Sequence, residues 1–581
     1  MTNPEGLSAR YTRFMHLVHA RLSAMARPAT AFTSTPEPRT ISSFGRGRQL
    51  IAGNFLFAGR LITSSDAQIW SLGARDLSFT NELHGFAWLD DLASVGDIAA
   101  RQKAQDWVWL WISQYGAGRG PGWTPDLTGR RLIRWINHAL FLLRGQESAQ
   151  SAAFYRSLAQ QTIFLSRRWH KAGAGLPRFE ALTGLIYAGL ALEGMSQYVA
   201  PALKALDKEC KLQVDPDGGI PTRNPEELLE VFTLLTWTAA ALAEAGQAPS
   251  EAHLGAIERI APTLRTLRHA DGGLARFHGG GRGLEGRLDH ALAESQNKLR
   301  QADGLSMGYA RLSAGRTSVI ADASPPPVKE ASINGHASTL AFELTSGRRP
   351  MIVNCGSGAN FGEEWRRAGR ATPSHSTLCL DGYSSARLGE AGQGGRRQEQ
   401  LVDAPTDVPV QMSQASDGLR FQGGPNGYVA TQGMTHARTL ELTFDGRGMV
   451  GEDLLVALDA PAKRTFDKAM DATSLQGIPF RLRFHLHPEV DAAVDMGGAA
   501  VSLALKSGEL WVSRFDGRID LGLEPSVFLE KNRLKPRATK QIVLSGAAME
   551  YATRIRWSLA KAQDSAMAIR DLNRDDLDLT P

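Results

Sequence analysis

The chain of 581 residues has few of the features that mark specialised protein classes. It has only three cysteines, too few for a disulfide framework, and no CxxC pair. Cys355 and Cys379 fall in segments that we expect to be neighbouring strands, which leaves one bridge open as an alternative to the favoured free, buried thiols. No window approaches the length of uninterrupted apolar sequence that a transmembrane helix needs, so none is expected.

The sequence is also poor in targeting and charge signals. The N-terminal segment lacks the continuous apolar stretch of a secretory signal peptide. A cytoplasmic location is therefore expected, with the periplasm as the alternative. The net charge of +5 is small for this length, and no long basic run with interleaved aromatic residues indicates nucleic acid. Clusters of arginine instead favour anionic partners, such as acidic glycans or phosphates.

Common catalytic motifs are absent. The sequence contains no Walker motif and no HExxH. Residues 281–286 fit the glycine pattern of a dinucleotide-binding turn, but they lie in a glycine-dense loop without the surrounding βαβ unit that the motif requires. Residues 304–308 fit a nucleophile elbow, but a helix precedes them and a strand follows, the reverse of the required order.

The N-terminal half shows the spacing of apolar residues that is typical of helices. Residues 181–194 are apolar on nearly all sides, which predicts a buried helix. A long helix is expected over residues 226–245, since Pro225 stands at its start and Gly246 just past its end. Further helices separated by glycine-rich loops predict a toroid of helical hairpins.

After about residue 305 the pattern changes to short strands separated by Gly, Pro and Asp. Residues 480–487 alternate strictly, with Phe480, Leu482, Phe484 and Leu486 on one face. Many such strands with almost no helix predict a β-sandwich. The fold class is therefore α+β and multidomain, an N-terminal α/α toroid followed by a large antiparallel β-sandwich. The predicted boundaries are an N-terminal arm (1–45), the toroid (46–310), the sandwich (311–562) and a polar, acidic tail (563–581).

The densest group of chemically versatile residues lies between residues 334 and 381. His336 precedes a predicted strand at residues 338–345, and His375 precedes another at residues 376–381. Between them, a predicted loop contains a tryptophan and three arginines, namely Trp365, Arg366, Arg367 and Arg370. Because rigid scaffolds often present functional residues at strand ends and in loops, this stretch is the candidate site. A basic surface loop beside two structural histidines is the alternative.

The same stretch resembles the β-sandwich domain of the heparinase II/III-like family of polysaccharide lyases. The matching segments are Gly335-His336, residues 339–344, residues 352–356, Trp365-Arg366 and residues 372–377. The resemblance extends to segments of the N-terminal half and covers most of residues 50–560. It implies a toroid joined to a sandwich, with an acidic polysaccharide in the cleft between them.

The resemblance also implies a chemistry. Lyases of this family cleave beside a uronic acid by β-elimination, which needs a base, an acid and a group that neutralises the carboxylate. The candidate catalytic residues in this chain are His336, His375 and Glu227. The candidate substrate-binding residues are Arg178, Arg366, Arg367, Arg370, Asn334 and Trp365.

The family's structural zinc site and several of its catalytic groups match this sequence incompletely. His336 and His375 correspond to the two zinc-binding histidines, but Asn354 stands where an aspartate is expected. Asn334 occupies the expected place of a catalytic histidine. In the toroid, Arg178-Phe179 stands where the family has an Asn-His pair. Glu226 and Glu227 stand where it has a tyrosine.

Three hypotheses follow from the sequence. The first is a lyase that cleaves an acidic glycan. The second is a catalytically silent protein of the same fold that binds such a glycan. The third and weakest is a structural or assembly protein of the cell envelope. Convergence of Arg178, Glu227, His336 and Arg370 on one cleft would favour the two glycan hypotheses.

Overall fold

The computed structural model describes residues 7–26, 29–34, 37–64, 68–72, 76–299, 304–389, 399–516, 519–531 and 533–562. Up to residue 299 the described chain is mainly helical, and from Tyr309 onward it is mainly antiparallel sheet. The predicted acidic tail at 563–581 lies outside the described residues. No helix in the described part of the chain has the length and apolar character to cross a membrane.

Thirteen α-helices and one β-hairpin make up the described N-terminal half. The helices are α1 (Leu7–Ala24), α2 (Phe44–Ile51), α3 (Leu77–His84), α4 (Ala87–Val95), α5 (Ile98–Tyr115), α6 (Pro125–Asn137), α7 (Ala139–Leu143), α8 (Ser148–Arg168), α9 (Leu176–Ala191), α10 (Val199–Gln213), α11 (Pro225–Glu244), α12 (Glu251–Thr266) and α13 (Arg287–Glu294). The hairpin is formed by β1 (Asn54–Phe57) and β2 (Arg60–Thr63). The sequence pattern predicts a helix over residues 286–302, but α13 ends at Glu294, and residues 300–302 of that prediction lie outside the described chain.

The predicted buried helix is the centre of the helical domain. All residues of α9 from Phe179 to Ala191 are buried, and α9 packs against α6, α8, α10 and α11. Helices α6 and α9 approach closely where Gly129 faces Gly184. A Cβ atom at Gly184 would lie 2.5 Å from the Cα atom of Gly129, so only glycine fits this crossing.

The long helix α11 begins as the sequence predicts. Pro225 occupies its first turn, where a missing N–H costs nothing. The side chain of Asn224 accepts hydrogen bonds from the backbone N–H groups of Glu226 and Glu227 and so caps the helix. The helix therefore starts at a fixed point, which places Glu226 and Glu227 at the edge that faces the sheet domain.

The C-terminal half contains two large antiparallel sheets. The strands are β3 (Tyr309–Ala314), β4 (Thr317–Asp322), β5 (Phe342–Ser346), β6 (Arg349–Val353), β7 (Leu378–Leu380), β8 (Arg387–Leu388), β9 (Leu401–Val402), β10 (Val410–Gln414), β11 (Gly418–Gly423), β12 (Thr435–Thr443), β13 (Gly448–Val456), β14 (Ile478–Leu486), β15 (Asp491–Asp495), β16 (Ala500–Ala504), β17 (Leu510–Phe515), β18 (Asp520–Phe528), β19 (Arg537–Ala548) and β20 (Ala552–Lys561). The first sheet has the strand order β10-β11-β12-β13-β20-β17-β16-β15. The second has the order β18-β19-β14-β6-β5-β4-β3, and β7 also pairs with β14.

The two sheets pack face to face through aromatic side chains. The ring of Phe342 on β5 stacks on the ring of Trp557 on β20 at 5.9 Å between centroids, and Phe484 on β14 meets the same tryptophan at 4.7 Å. The apolar face predicted for residues 480–487 is therefore the buried face of β14. This packing confirms the predicted sandwich.

Three local expectations for the C-terminal half were wrong. Residues 338–341 are not in a strand, which begins only at Phe342. The sandwich also contains three helices, α14 (Glu363–Arg370), α15 (Val429–Gln432) and α16 (Ala460–Ala472). The predicted arginine loop is thus mostly helix α14. Its acidic first turn and basic last turn complement the helix dipole, a signal that outweighs the loop-like polarity of the segment.

Candidate functional site

The arginines of α14 hold the chain around residues 332–336 in place. Arg370 is 2% exposed, and its guanidinium donates to the backbone oxygens of Ser332, Gly335 and Glu399 at 2.8, 2.8 and 3.0 Å. Arg366 donates to the backbone oxygen of Ile333 at 2.9 Å. These bonds fix the segment that presents His336.

The carboxylate of Glu399 is an ion-pair partner of the other two arginines of α14. It pairs with Arg367 and lies 3.9 Å from Arg366, which also pairs with Glu363 at 2.9 Å. Trp365, on the same helix, is half-buried. The four α14 residues among the six expected to bind substrate therefore lie together, but their three guanidinium groups already have partners within the protein.

His336 and His375 form a direct hydrogen bond with each other. Nδ1 of His336 lies 3.0 Å from Nε2 of His375, and Nδ1 of His375 lies 2.9 Å from the backbone oxygen of Ala371. Because a carbonyl oxygen only accepts, Nδ1 of His375 carries a proton and its Nε2 is the acceptor. His336 therefore carries its proton on Nδ1. No hydrogen bond to Nε2 of His336 is made within the described part of the chain.

Both imidazoles are neutral at physiological pH. His336 is 3% and His375 is 1% exposed. Burial lowers the pKa of His375 to about 4. Burial, together with the neighbouring His375 and His278, holds the pKa of His336 well below its usual range. The two histidines are therefore joined by a hydrogen bond between uncharged imidazole rings.

Asn354, the expected third zinc ligand, is fully buried and contacts Ser376, the residue that follows His375. Its Oδ1 accepts a hydrogen bond from the backbone N–H of Ser376 at 3.0 Å, and its Nδ2 has no hydrogen-bond partner in the described chain. The described residues contain no group of three or more His, Cys, Asp or Glu side chains arranged to hold a metal. A neutral amide and two histidines bonded to each other do not fit the His-Asp-His zinc site that the resemblance implies.

A second polar cluster, which the sequence analysis missed, joins the helical domain to the sheet domain. Arg223, just before α11, pairs with Asp322 at the end of β4 at 2.5 Å. Nε2 of His278 lies 3.5 Å from Oδ2 of the same carboxylate, and the hydroxyl of Ser338 donates to it at 2.7 Å. The other nitrogen of His278, Nδ1, accepts from the backbone N–H of His336 at 3.0 Å. The junction cluster of Arg223, His278, Asp322 and Ser338 therefore touches the histidine pair directly.

The junction cluster is an ionic contact shielded from water. Burial alone would raise the pKa of Asp322, but the Arg223 guanidinium and the hydrogen bonds from His278 and Ser338 outweigh it and lower that pKa far below its usual range. Arg223 also donates to four backbone oxygens, those of Met307, Gly308, Ser324 and Pro325. Nothing local in the sequence marks these residues, since the partners lie up to 102 residues apart.

The toroid candidates, Arg178 and Glu227, lie at the starts of α9 and α11. Arg178 pairs with Glu209 at 3.2 Å. Burial raises the pKa of Glu227, and a Cβ atom added to Gly175 would lie 3.9 Å from its Oε1. Its neighbour Glu226 pairs with Lys531 of the sheet domain and accepts from the backbone N–H of Gly281 at 2.8 Å.

The predicted site residues come from both domains. His336, His375, Asn354 and the arginines of α14 belong to the sheet domain, with Asn334 exposed at its edge against Gly279. Arg178 and Glu227 belong to the toroid side. Within the described residues, no hydrogen bond or ion pair joins Arg178 or Glu227 to His336 or Arg370.

A groove of about 750 Å³ lies between the two domains, but it is lined by other residues. Its walls are residues 211–216 and 219–221 from the helical domain and 326–328 from the sheet domain, and Arg223 and Arg259 also line it. Leu212 and Val328, on opposite walls, are 61% and 64% exposed. None of the predicted site residues lines this groove.

The three cysteines are free and buried, which confirms the expectation of thiols over a bridge. Burial raises the pKa of Cys355 and of Cys379 to about 11 each, so neither is a thiolate nucleophile at neutral pH. Cys355 lies 3.5 Å from Nδ1 of His485, whose other ring nitrogen bonds the backbone oxygen of Pro373. The pair is thus held in place within the sandwich.

Comparison with known proteins supports the fold assignment. Residues 297–558 match the model of the heparinase II/III-like C-terminal domain. A solved heparinase III structure aligns over 95% of this chain and 90% of its own, with a TM-score of 0.65 and 12% identity. A mutant of the heparan sulfate lyase HepC from Pedobacter heparinus aligns over 96% of this chain and 90% of its own, with a TM-score of 0.58 and 14% identity. The chain thus has the α/α toroid and β-sandwich of these lyases.

One relative with similarity over nearly the whole chain is not named as a lyase. FtsZ-localized protein C of Caulobacter vibrioides is 29% identical over 562 residues, which span 94% of this chain and 92% of the relative. The similarity therefore includes the toroid, the junction and the sandwich. The sequence identity to this relative is higher than that to either lyase structure, and the relative is named for its location rather than for a reaction.

Proposed function

We propose that this chain, whose residues 297–558 belong to the heparinase II/III-like C-terminal family, acts in cell division together with FtsZ and does not cleave acidic glycans by β-elimination. The similarity to FtsZ-localized protein C over nearly the full length of both chains supports the first part. The proposal places the chain in the compartment of FtsZ. The lyase-like fold then serves as a scaffold.

The state of the cationic side chains carries the second part of the proposal. A lyase must bind the substrate carboxylate and stabilise the charge that develops on it. Lys531 pairs with Glu226, Arg178 with Glu209, and Arg367 with Glu399, while Arg370 is bound by three carbonyl oxygens. A uronate would have to displace these carboxylates, and leaving a partly buried carboxylate without its partner is costly.

The candidate proton acceptors support the same conclusion. A general base must come within hydrogen-bonding reach of the substrate proton. His336 and His375 are almost fully buried and bonded to each other. Asn334, which is exposed at the edge where the resemblance places a catalytic histidine, has an amide side chain that cannot accept a proton at neutral pH.

Two measurements on the purified chain test the proposal. Binding to purified FtsZ is measured by fluorescence anisotropy, with labelled serum albumin as the control for nonspecific association. Absorbance of unsaturated uronate is followed during incubation with heparan sulfate, alginate and hyaluronan. We expect saturable FtsZ binding and a flat absorbance trace. Absence of FtsZ binding contradicts the first part, and a rising trace contradicts the second.

An acidic-glycan lyase is the second candidate, because the fold aligns with lyases over almost the entire chain and Glu227 has a raised pKa. A raised pKa suits a carboxyl group that exchanges protons near neutral pH. The absorbance assay with Glu227→Gln beside the wild type distinguishes this candidate. A signal that the variant loses would identify a lyase that uses Glu227. Glycan binding without any absorbance change would favour the silent glycan-binding alternative.

A further inference from the structure

The histidine pair and Asn354 occupy the place where the resemblance implies a structural zinc ion. We propose that a direct N–H···N bond between His336 and His375 replaces the metal in this chain, so that the protein folds and remains stable without zinc. We further propose that residue 354 decides between the two states, with asparagine excluding the metal and aspartate admitting it. The inference concerns the sandwich core and is independent of the proposed function.

The position of the protons is the first argument. A zinc ion binds through the lone pairs of imidazole nitrogens. The hydrogen bond to Ala371 fixes the lone pair of His375 on Nε2, and that lone pair accepts the Nδ1 proton of His336 at 3.0 Å. To bind a metal between these nitrogens, His336 would have to move its proton to Nε2 and give up the bond. The pair is thus complete without an ion.

The chemistry of residue 354 is the second argument. Zinc is held in proteins by thiolate, imidazole and carboxylate groups, and a neutral amide oxygen is a much weaker ligand. The one oxygen of Asn354 already accepts the N–H of Ser376 at 3.0 Å. Its other terminal atom, Nδ2, is buried without a hydrogen-bond partner in the described chain. In an aspartate that atom would be a second oxygen, free to bind a cation and negatively charged.

Metal content and thermal stability of the wild type give the first test. The purified chain is dialysed against zinc, freed of unbound metal by gel filtration and analysed by mass spectrometry for zinc. Its melting temperature is measured with and without EDTA. We expect far less than one zinc per chain and the same melting temperature in both conditions. One zinc per chain with a melting temperature that falls in EDTA would overturn the proposal.

The variant Asn354→Asp gives the second test. We expect it to retain one zinc per chain, to melt at a higher temperature with zinc than with EDTA, and to give the visible absorption of tetrahedral cobalt when Co²⁺ replaces zinc. The matched control, Asn354→Asp combined with His375→Gln, lacks the second nitrogen and should lose all three signals. A folded Asn354→Asp variant that takes up no zinc would refute the role of residue 354. If this variant does not fold, the wild-type measurements still decide whether the core is free of metal.

Discussion

Two buried aspartates in this protein have nearly the same surroundings but different positions. Asp322, at the junction, is bonded to Arg223, His278 and Ser338. Asp453, on β13, is bonded to Arg438 at 2.8 Å, His436 at 2.6 Å and Nε1 of Trp557 at 2.9 Å. Both carboxylates are 0% exposed. In each case burial is outweighed by an arginine and a histidine, which lower the pKa of the aspartate far below its usual range.

The partners of Asp453 all lie on the strands next to it, whereas those of Asp322 come from both domains. His436 and Arg438 are on β12 and Trp557 is on β20, the two neighbours of β13. Arg223 and His278 come from loops of the helical domain, and Asp322 ends a strand of the sandwich. Asp-His-Arg clusters thus recur in the described chain, and Asp90 with Arg134 and His138 forms another one within the helical domain. Because its partners come from both domains, the junction cluster fixes the helical domain against the sheet domain.

The largest expected effect is loss of the cluster within the sandwich. Asp453→Ala leaves the Arg438 guanidinium buried without its counterion, and we expect it to lower the free energy of unfolding by about 3–5 kcal/mol. Denaturation by urea, followed by tryptophan fluorescence, measures this loss. Asp403→Asn, which removes an exposed pair with Arg387, is the control and should change stability by less than about 1 kcal/mol. Equal effects would show that Asp453 has no special structural role.

The corresponding change at the junction should have a smaller but more selective effect. Asp322→Asn keeps one acceptor oxygen but removes the charge, so we expect a loss of about 1.5–3 kcal/mol. Because the partners belong to two domains, amide hydrogen exchange should speed up around residues 223–226 and 278–281 and stay unchanged in β12 and β13. Asp453→Ala should give the reverse pattern. Faster exchange in the same segments for both variants would refute the distinction between the two clusters.

The sequence predicts the regular parts of this architecture better than the site. The alternation of residues 480–487 identifies β14, and Pro225 marks the start of α11, because both signals are local. The junction cluster depends on Arg223 and Asp322, which lie 99 residues apart and meet only when the two domains pack. The histidine pair was predicted as two residues, but the bond between them depends on tautomers that no spacing reveals. The arginines of α14 were predicted to bind substrate, since the sequence does not show that Glu399 and three carbonyl oxygens already bind them.

A third buried carboxyl, Glu180 on α9, should respond to pH in a different way from the two aspartates. It has one cationic partner, with Nε of Arg130 at 2.6 Å from Oε1, and its Oε2 has no hydrogen-bond partner in the described chain. Burial therefore prevails over the attraction of Arg130 and raises the pKa of Glu180 from 4.5 to about 7. The comparison indicates that the pKa of a buried carboxyl group is lowered when two or more donors bind it and raised when only one does.

The raised pKa of Glu180 makes its contribution to the free energy of unfolding depend on pH. Between pH 4.5 and about 7 the folded protein keeps the proton on Glu180 while the unfolded chain loses it, so the contribution of this group to stability falls as the pH rises. Glu180→Gln removes the titration, and we expect the difference in unfolding free energy between variant and wild type to shift in favour of the variant from pH 4.5 to pH 7.5. Urea denaturation at several pH values measures it, with Glu244→Gln, at a partly exposed pair, as the control. A difference that does not change with pH would mean that Arg130 alone keeps Glu180 ionised, and that the number of donors does not separate this carboxyl from Asp322 and Asp453.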